Sequence, residues 1–295
     1  MIPKHISRAS DLVTSHQAVC IGFLNQALTK TQKATPYVKE AFSFWQVLQG
    51  VSEVSELLQL PEYRDHLLAS AGFSDKAMNH LSESELEQAL QRVFETILQR
   101  SGEHFREEVF FRYLLTKGDA LGGQMHNVTG AAGQTRLMEA IQAALKRAGA
   151  EYDIVHAANG EKIQRISWDS RRLLFDVKPK LIDKSIDVIL LDTSSNEDEE
   201  MLLERAAAYL ACGELKGGID PAGADEHWKT AKTALSRIRN KLKRSCPPLF
   251  FVAAAIEMAM AKEIFRDLKK GFLTHIANLT DDRQVEDLAS WLVSL

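Results

Sequence analysis

The chain has 295 residues, 45% hydrophobic and 26% charged, which is the composition of an ordinary folded protein with one large or two modest domains. Its 36 Lys and Arg residues against 40 Asp and Glu residues give a net charge of −4, which excludes a histone-like polycation. Binding of nucleic acid would therefore need a local basic patch. Without an apolar run of membrane-spanning length we expect no membrane partner. Three cysteines without CxxC spacing argue against a disulfide scaffold or zinc ribbon and favour a reducing compartment.

The first 116 residues have the periodicity of helices. Apolar residues recur at three- and four-residue steps between residues 44 and 58, which is typical of a buried helix face. The sequence SESE at 82–85 predicts a capped helix start, and a third helix is expected from about 102 to 116. No group of residues here suggests catalysis. We predict a helical subdomain over residues 1–116 that embraces DNA or joins protomers.

A glycine-rich stretch follows, with the sequence KGDALGG at 117–123 and further glycines at 130 and 133. It predicts a loop at a domain boundary, because glycine permits sharp turns and close backbone approach. The stretch matches neither GxGxxG nor GxxxxGK[ST], so a nucleotide-binding loop is disfavoured. An amphipathic helix is expected over residues 135–147.

The rest of the chain alternates strands and helices. Strands are predicted at residues 152–155, 184–192, 209–216 and 249–254, and helices at 225–244, 258–268 and 282–293, with an acidic loop at 192–204. This order predicts an α/β fold, with a mixed sheet and helices on its faces. We assign residues 117–295 to this second domain.

Three side chains on two predicted strands form the strongest candidate for a catalytic site. Asp187 lies on one strand, and Glu214 and Lys216 lie on the next, where residues two apart share a face. Two carboxylates suit Mg²⁺, and a neighbouring lysine can stabilise the charge of a phosphoryl transition state. An acid followed by Glu-x-Lys is the pattern of the PD-(D/E)XK nuclease core. A surface acid beside a local salt bridge would give the same pattern.

A basic helix follows this pattern directly. From residue 227 to residue 256 the sequence has no acidic residue. The positive charges of the predicted helix are Lys229, Lys232, Arg237, Arg239, Lys241, Lys243 and Arg244. Such runs commonly form a solvated face, but a run next to a candidate metal site favours contacts with phosphates. We predict that four of them bind DNA, namely Lys229, Lys232, Arg237 and Arg239.

At residues 213–241, GELKGGIDPAGADEHWKTAKTALSRIRNK, the sequence closely resembles the AvaI/BsoBI family of Type II restriction endonucleases. Shorter stretches resemble the same family, including FRYLLTKGDALGG at 111–123, IDVILLD at 186–192 and FLTHIANLT at 272–280. The resemblance covers nearly the whole chain. It implies a homodimeric, Mg²⁺-dependent enzyme with a restriction-endonuclease-like core that cuts double-stranded DNA at the palindrome CYCGRG. It also implies a bacterial cytoplasmic location and a cognate DNA methyltransferase as a genetic companion.

The resemblance assigns catalytic roles to four residues. The catalytic acid falls on Asp187, the Glu-x-Lys pair on Glu214 and Lys216, and the active-site histidine on His227. Asp187 and Glu214 are then the metal ligands. His227 could act as a general base near neutral pH. Alternatively, Lys216 and the metal activate the water and His227 only orients it.

The resemblance also implies base-reading positions at Lys76, Lys184 and Asp220. A carboxylate such as that of Asp220 can accept a hydrogen bond from cytosine N4. The alternative for Asp220 is a turn or helix-capping role beside Pro221. Lysines that read guanine and lysines that are only solvated look identical in sequence.

Two other functions fit the same core. One is a DNA-binding protein whose nuclease site has decayed, and the intact Asp187, Glu214 and Lys216 argue against it. The other is a PD-(D/E)XK repair nuclease that acts on DNA ends or structures. Such a nuclease normally accompanies helicase or ATP-binding motifs, which this sequence lacks.

Overall fold

The computed structural model of the chain describes residues 3–73, 79–157, 163–195 and 197–295, apart from the side chain of His126. These residues form two units. The helical unit is Gln26–Asn127, and the sheet unit combines Met1–Asn25 with Val128–Leu295. Within the described ranges, no helix combines the length and apolar character needed to cross a membrane.

The described residues up to Ala148 include the helices α1 (His16–Leu48), α2 (Val54–Leu58), α3 (Arg64–Ser70), α4 (Glu83–Ser101) and α5 (Phe105–Ala148). Short 3₁₀ turns lie at Ala9–Leu12, Pro61–Tyr63 and Gly102–His104. The start of α4 is the predicted capping box, in which Ser82 accepts from the Glu85 N–H and the Glu85 carboxylate accepts from the Ser82 N–H. Apolar residues from α1 to α5, including Phe44, Phe94 and Tyr113, form the core of the helical unit.

The sheet unit is built on seven strands in the order β1 to β7. They are β1 (Tyr152–His156), β2 (Ile163–Trp168), β3 (Arg171–Val177), β4 (Ile186–Asp192), β5 (Tyr209–Lys216), β6 (Leu249–Ala253) and β7 (His275–Asn278). Strands β1 to β5 pair antiparallel, whereas β5, β6 and β7 pair parallel. The remaining helices are α6 (Glu199–Glu204), α7 (Ala224–Leu242), α8 (Met258–Lys269) and α9 (Asp282–Ser294).

Helices cover both faces of the sheet because successive residues of each central strand point to opposite sides. Ile189 and Leu191 of β4 pack in one core with α7 and α8. Val188 and Leu190 pack in the other core with α9 and the last part of α5. The mixed α/β fold expected from the sequence is thereby confirmed.

The glycine-rich stretch is not a loop, as predicted, but the interior of α5, which runs unbroken from Phe105 to Ala148. Glycine costs about 1 kcal/mol in a helix but keeps its N–H, so strongly helical flanks can propagate through it. Gly133 has a further reason to be glycine, since a Cβ there would lie 2.7 Å from the Gly217 Cα. A phosphate-binding loop is therefore absent at residues 117–123.

The division of the chain also differs from the predicted boundary between residues 116 and 117. It falls after Asn127, and residues up to Asn25 belong to the sheet unit. Two hydrogen bonds explain why the first residues belong to the sheet unit. The Asn278 side chain donates a 2.9 Å hydrogen bond to the Leu12 carbonyl, and the Thr14 hydroxyl donates a 2.8 Å hydrogen bond to the Ala254 carbonyl. These pairs are more than 200 residues apart in sequence, so no local pattern predicts them.

Strands β2, β3 and β7 were not predicted, and part of the expected acidic loop at 192–204 is helix α6. Arg171 and Arg172 interrupt the apolar pattern of β3, and their guanidinium groups lie near Asp192 and Glu199. The positions of the four predicted strands agree with β1, β4, β5 and β6 within two residues.

We predict that Gly213→Ala destabilises the sheet unit. A Cβ at this position would lie 2.2–2.5 Å from ring carbons of Phe250 on β6, so the strands would have to shift. Overpacking of this kind costs about 1–3 kcal/mol of unfolding free energy, measurable by urea denaturation.

Gly118→Ala is the matched control, because nothing lies within 4 Å of its Cβ position in α5. It should stabilise by about 0.5–1 kcal/mol through helix propensity. Equal effects of the two substitutions would contradict the packing at Gly213.

Candidate active site

The candidate site forms where β4 and β5 separate. The last paired residues of the two strands before the site are Val188 of β4 and Gly213 of β5. Beyond it, the Leu215 N–H donates a 2.9 Å hydrogen bond to Oδ2 of the Asp187 side chain. The backbone of β5 thus fixes the carboxylate that β4 presents.

Lys216 connects the two carboxylates. Its Nζ donates a 2.8 Å hydrogen bond to Oδ2 of Asp187 and a 3.1 Å hydrogen bond to Oε2 of Glu214. The Glu214 side chain is only 4% exposed, whereas those of Lys216 and Asp187 are partly open at 21% and 26%. The structure therefore brings together the three residues that the sequence singled out.

Burial and charge set the protonation of the cluster. Burial, followed by repulsion from Asp187, raises the pKa of Glu214 to about 8, against an ordinary value of 4.5. Burial opposes the charge of Lys216, but the Asp187 and Glu214 carboxylates outweigh it and raise the lysine pKa. The ammonium group stays charged at neutral pH.

The cluster fits a hard cation. The Glu214 Oε1 atom is buried and has no hydrogen-bond partner among the described residues, so a buried oxygen is available as a ligand. Asp187 supplies a second carboxylate. The described part of the chain holds no group of three or more His, Cys, Asp or Glu residues suited to a metal. Two carboxylates leave the other coordination positions to water or phosphate oxygens, which suits Mg²⁺.

The cluster opens into a cleft of about 470 Å³ between the strand ends and α7. One face of α7 is buried against the sheet, with Trp228, Leu235 and Ile238 in the core. The opposite face forms a wall of the cleft. The lining residues from α7 are Glu226, Lys229, Thr230, Thr233, Ala234 and Arg237.

Three predicted DNA-binding residues line this cleft: Lys184, Lys229 and Arg237. Lys184 precedes β4 and is exposed. Lys229 is also exposed and lies 2.6 Å from Asp225 one helical turn away. These three basic side chains thus line the same cleft as the two carboxylates.

Two other predicted DNA-binding residues make contacts within the sheet unit. Lys232 Nζ lies 2.6 Å from Glu263 and 2.8 Å from Asp267, both on α8. Arg239 donates 2.7 Å to the Gly271 carbonyl, and its guanidinium lies over the Phe272 ring.

Asp220, another predicted base-reading residue, is not part of the cleft lining. The Asp220 carboxylate accepts 2.9 Å from the Ala222 N–H and caps the 3₁₀ turn Pro221–Gly223. This is the capping role left open as its alternative. Lys76 lies outside the described residues.

His227 packs against the glycine turn that follows β5. Its Cε1 atom lies 3.3 Å from the Cβ position of Gly218, and its Nε2 atom 3.6 Å from that of Gly223. The ring is half-buried and is not among the residues that line the cleft. It nevertheless lies close to Gly218, a residue only two positions beyond Lys216.

Sequence reasoning missed the uncharged and acidic members of the cleft wall, namely Glu226, Thr230 and Thr233. Attention to positive charge selected only lysines and arginines. The signal that finds the others is helical spacing, since residues 226, 230, 233 and 237 recur every three or four positions on one face of α7.

The mixed sheet presents Asp187 on one strand and Glu214 and Lys216 on the next, as the sequence pattern predicts. Comparison with known proteins gives the family. A family model described as "Restriction endonuclease BsobI" matches residues 2–295. The chain belongs to this family, and its fold is restriction-endonuclease-like.

Several characterised relatives match over nearly their full length. The Type II restriction enzyme AvaI of a Nostoc species and that of Anabaena variabilis are each 39% identical over 310 residues, which covers 99% of this chain and 98% of the relative. The Type II restriction enzyme BsoBI of Geobacillus stearothermophilus is 37% identical over 315 residues, with the same coverage.

We predict that Glu214 makes a contribution to the stability of the metal-free protein that is lost as pH rises from about 5 to 8. The native Glu214 pKa of about 8 exceeds the unfolded value near 4.5, so the native state keeps a proton that the unfolded state has released. The unfolding free energy should therefore fall by up to about 1.4 kcal/mol per pH unit from this residue.

Urea denaturation of Glu214→Gln, measured in EDTA across this range, should lack that contribution. Glu286→Gln, which changes an exposed carboxylate on α9, is the control and should keep the wild-type profile. Identical profiles for the wild type and Glu214→Gln would contradict the assignment.

Proposed function

We propose that this chain is a Type II restriction endonuclease that hydrolyses phosphodiester bonds of double-stranded DNA. Its site is the palindrome CYCGRG or a closely related sequence, and its cofactor is Mg²⁺. One observation carries the proposal: Lys216 bonds both Asp187 and Glu214 at an open cleft, beside a buried carboxylate oxygen without a partner. Family membership across residues 2–295 supports the reaction class.

Asp187 and Glu214 would hold the cation. When bound, Mg²⁺ supplies Lewis-acid activation of water and neutralises charge on the phosphate. The Lys216 ammonium points into the same space and stabilises the negative charge that develops at phosphorus. Because the Glu214 pKa is raised, this carboxyl must lose its proton before it can act as a ligand.

The cleft wall supplies the contacts to DNA. Lys184, Lys229 and Arg237 present positive charge beside the catalytic cluster, and we assign them to phosphate contacts. Lys232 and Arg239 are bonded within the sheet unit, which supports a role in fixing α7 rather than direct contact.

Base reading is assigned on the family resemblance. We propose Lys76 and Asp220 for this role, together with Lys184. To read a base, the Asp220 carboxylate would have to give up or share the hydrogen bond that it accepts from the Ala222 N–H.

For His227 we propose the role of general base. Two features support it: its position in the first turn of α7, next to the cleft residue Glu226, and its contact with the turn after Lys216. The alternative, in which Lys216 and the metal activate the water and His227 orients it, is favoured by the absence of His227 from the cleft lining.

We further propose that the enzyme is a homodimer. A palindromic site has two-fold symmetry, and cutting both strands requires two active sites related by that symmetry. Two copies in an isologous dimer supply them.

A catalytically decayed DNA-binding protein is disfavoured, because it would have no need of a buried Glu214 held beside Lys216. A repair nuclease would act on DNA ends or structures. The plasmid digest described below distinguishes it from a site-specific endonuclease.

We predict that Asp187→Asn and Glu214→Gln each abolish cleavage but leave DNA binding intact. Each substitution removes the charge of a ligand while it keeps the volume of the side chain. A plasmid that carries CYCGRG sites should give discrete fragments with wild type and Mg²⁺, and no fragments with either variant. Gel shift in Ca²⁺ should show comparable binding for all three proteins.

Asp281→Asn is the matched control. Asp281 caps α9, and this variant should cut DNA like the wild type. Cleavage by Asp187→Asn at the wild-type rate would contradict the metal site. A smear that depends on DNA ends would favour the repair nuclease, and a lack of fragments with wild type would favour the decayed protein.

We predict that His227→Ala lowers single-turnover cleavage by roughly 10²–10⁴-fold, the usual scale of general base catalysis. Binding in Ca²⁺ should be unchanged, because His227 is not among the cleft residues that we assign to phosphate contacts. Lys229→Ala is the contrasting variant. It should weaken binding and reduce the slope of log affinity against log salt by about one unit. Wild-type chemistry in His227→Ala would leave water activation to Lys216 and the metal.

A further inference from the structure

Asp187 and Lys216 line a second cavity besides the basic cleft. This chamber has a volume of about 130 Å³, and its walls come from α5, β3, β4 and β5. The lining residues are Gly130, Gln134, Phe175, Asp176, Asp187, Leu215 and Lys216. Two side chains of the candidate site thus border both the cleft, where α7 forms a wall, and a chamber to which the proposed function assigns no role.

The lining of the chamber suits water. Four of its side chains are polar, namely Gln134, Asp176, Asp187 and Lys216. The volume has room for about four water molecules at roughly 30 Å³ each, and a buried water needs two to four polar partners, which these side chains supply. Both carboxylates proposed as metal ligands line the cleft, whereas Glu214 is absent from the lining of the chamber. The chamber therefore fits water better than it fits the cation.

Asp176 is placed opposite Asp187 by the pairing of β3 with β4. The register of the neighbouring pairs, such as Phe175 with Val188, puts the two aspartates directly across from each other. In a regular ladder such side chains lie about 5 Å apart at Cβ, and two like charges there are destabilising. Ordered water relieves this repulsion, because one water molecule can donate an O–H group to each carboxylate.

The backbone at Asp176 is unusual for a strand residue. Its φ is +54°, in the left-handed region that favours glycine. Asp169 and Asp183 share this conformation, but both lie in turns, where it is common. Asp176 lies within β3 itself, so a strained backbone carries a carboxylate where glycine would be relaxed. Strain of this kind clusters at sites where a particular side chain is used.

Lys216 connects the chamber to the reaction. Its ammonium group has three N–H donors, and two of them bond Asp187 and Glu214. One N–H group is left for water. A chamber water that accepts from this N–H and donates to the Asp176 carboxylate is held at two points, beside the ammonium group that stabilises charge at phosphorus.

We propose that Asp176 is a positioning residue for the reaction: it holds ordered water in the chamber against the third N–H group of Lys216, and this water attacks the phosphate. The inference rests on the proposed nuclease function and adds a residue that acts in it through water. Asp176 accepts a hydrogen bond and takes no proton. The water oxygen forms the new bond to phosphorus, the bond to the leaving sugar oxygen breaks, and the water proton passes to the general base.

Single-turnover cleavage by Asp176→Gly and Asp176→Asn tests this with the full-length protein. Loss of a charged hydrogen bond should slow Asp176→Gly about 10–100-fold at saturating Mg²⁺, and the amide oxygen of Asp176→Asn should restore part of the rate. The Mg²⁺ concentration for half-maximal rate and DNA binding in Ca²⁺ should both stay within about twofold of the wild type, because Asp176 contacts neither the cation nor DNA in this role.

Asp169→Gly is the matched control. It removes the same side chain from the same left-handed backbone, in the turn at the opposite end of β3. It should cut like the wild type. Urea denaturation should show no loss of stability in either glycine variant, since glycine relaxes this backbone. A slow Asp176→Gly that is also less stable than Asp169→Gly would make Asp176 a structural residue and overturn the proposal.

A crystal structure of the metal-free protein gives a reading that does not depend on cleavage. The chamber should hold ordered water within hydrogen-bond distance of both the Asp176 carboxylate and the Lys216 ammonium group. The same water should be lost in Asp176→Gly. A wild-type chamber without ordered water at this position would overturn the proposal.

The outcomes separate this inference from the proposed function. Wild-type rates in Asp176→Gly, beside a wild type that cuts CYCGRG sites, would overturn the role of Asp176 and leave the nuclease standing. A wild type that cuts no DNA would overturn the proposed function and the role of Asp176 with it. An Asp176→Gly variant that recovers the wild-type rate at high Mg²⁺ would place Asp176 in the surroundings of the cation and overturn its role with water.

Discussion

The hydrogen bonds of Lys216 to Asp187 and Glu214 are the interaction on which the rest of the site depends. A carboxylate as buried as that of Glu214 is costly unless a positive charge compensates it. One ammonium group cannot satisfy both Glu214 oxygens here, and Oε1 keeps no partner among the described residues. The metal-free site is therefore under electrostatic tension, expressed in the raised Glu214 pKa, and a divalent cation would relieve it.

The backbone around this cluster is shaped to the same end. Strands β4 and β5 separate just after the pair Val188–Gly213, which frees the Leu215 N–H to bond the Asp187 carboxylate. Glycines allow the surrounding elements to approach closely, with Gly213 against the Phe250 ring and Gly217 against Gly133 of α5. The side chains of the candidate site are thus held by main-chain packing on rigid elements, which is the arrangement that keeps a reactive geometry fixed.

Helix α7 divides its basic residues between two tasks. Lys229 and Arg237 face the cleft, whereas Lys232 bonds Glu263 and Asp267 of α8. The second group fixes the helix that carries the first.

The local features of this protein can be read from short stretches of its sequence. The apolar runs of β4, β5 and β6, the capping box at Ser82 and the Glu-x-Lys spacing follow from neighbouring residues, because strand and helix periodicity act over a few positions. Features that depend on contacts between distant residues follow only from the tertiary structure. It made the glycine stretch part of a continuous helix and joined the first 25 residues to the sheet unit through Asn278 and Thr14. It also separated the lysine that faces the cleft from the lysine that is bonded to α8, because a charge in sequence is the same whether its partner is water, phosphate or a carboxylate brought near by folding.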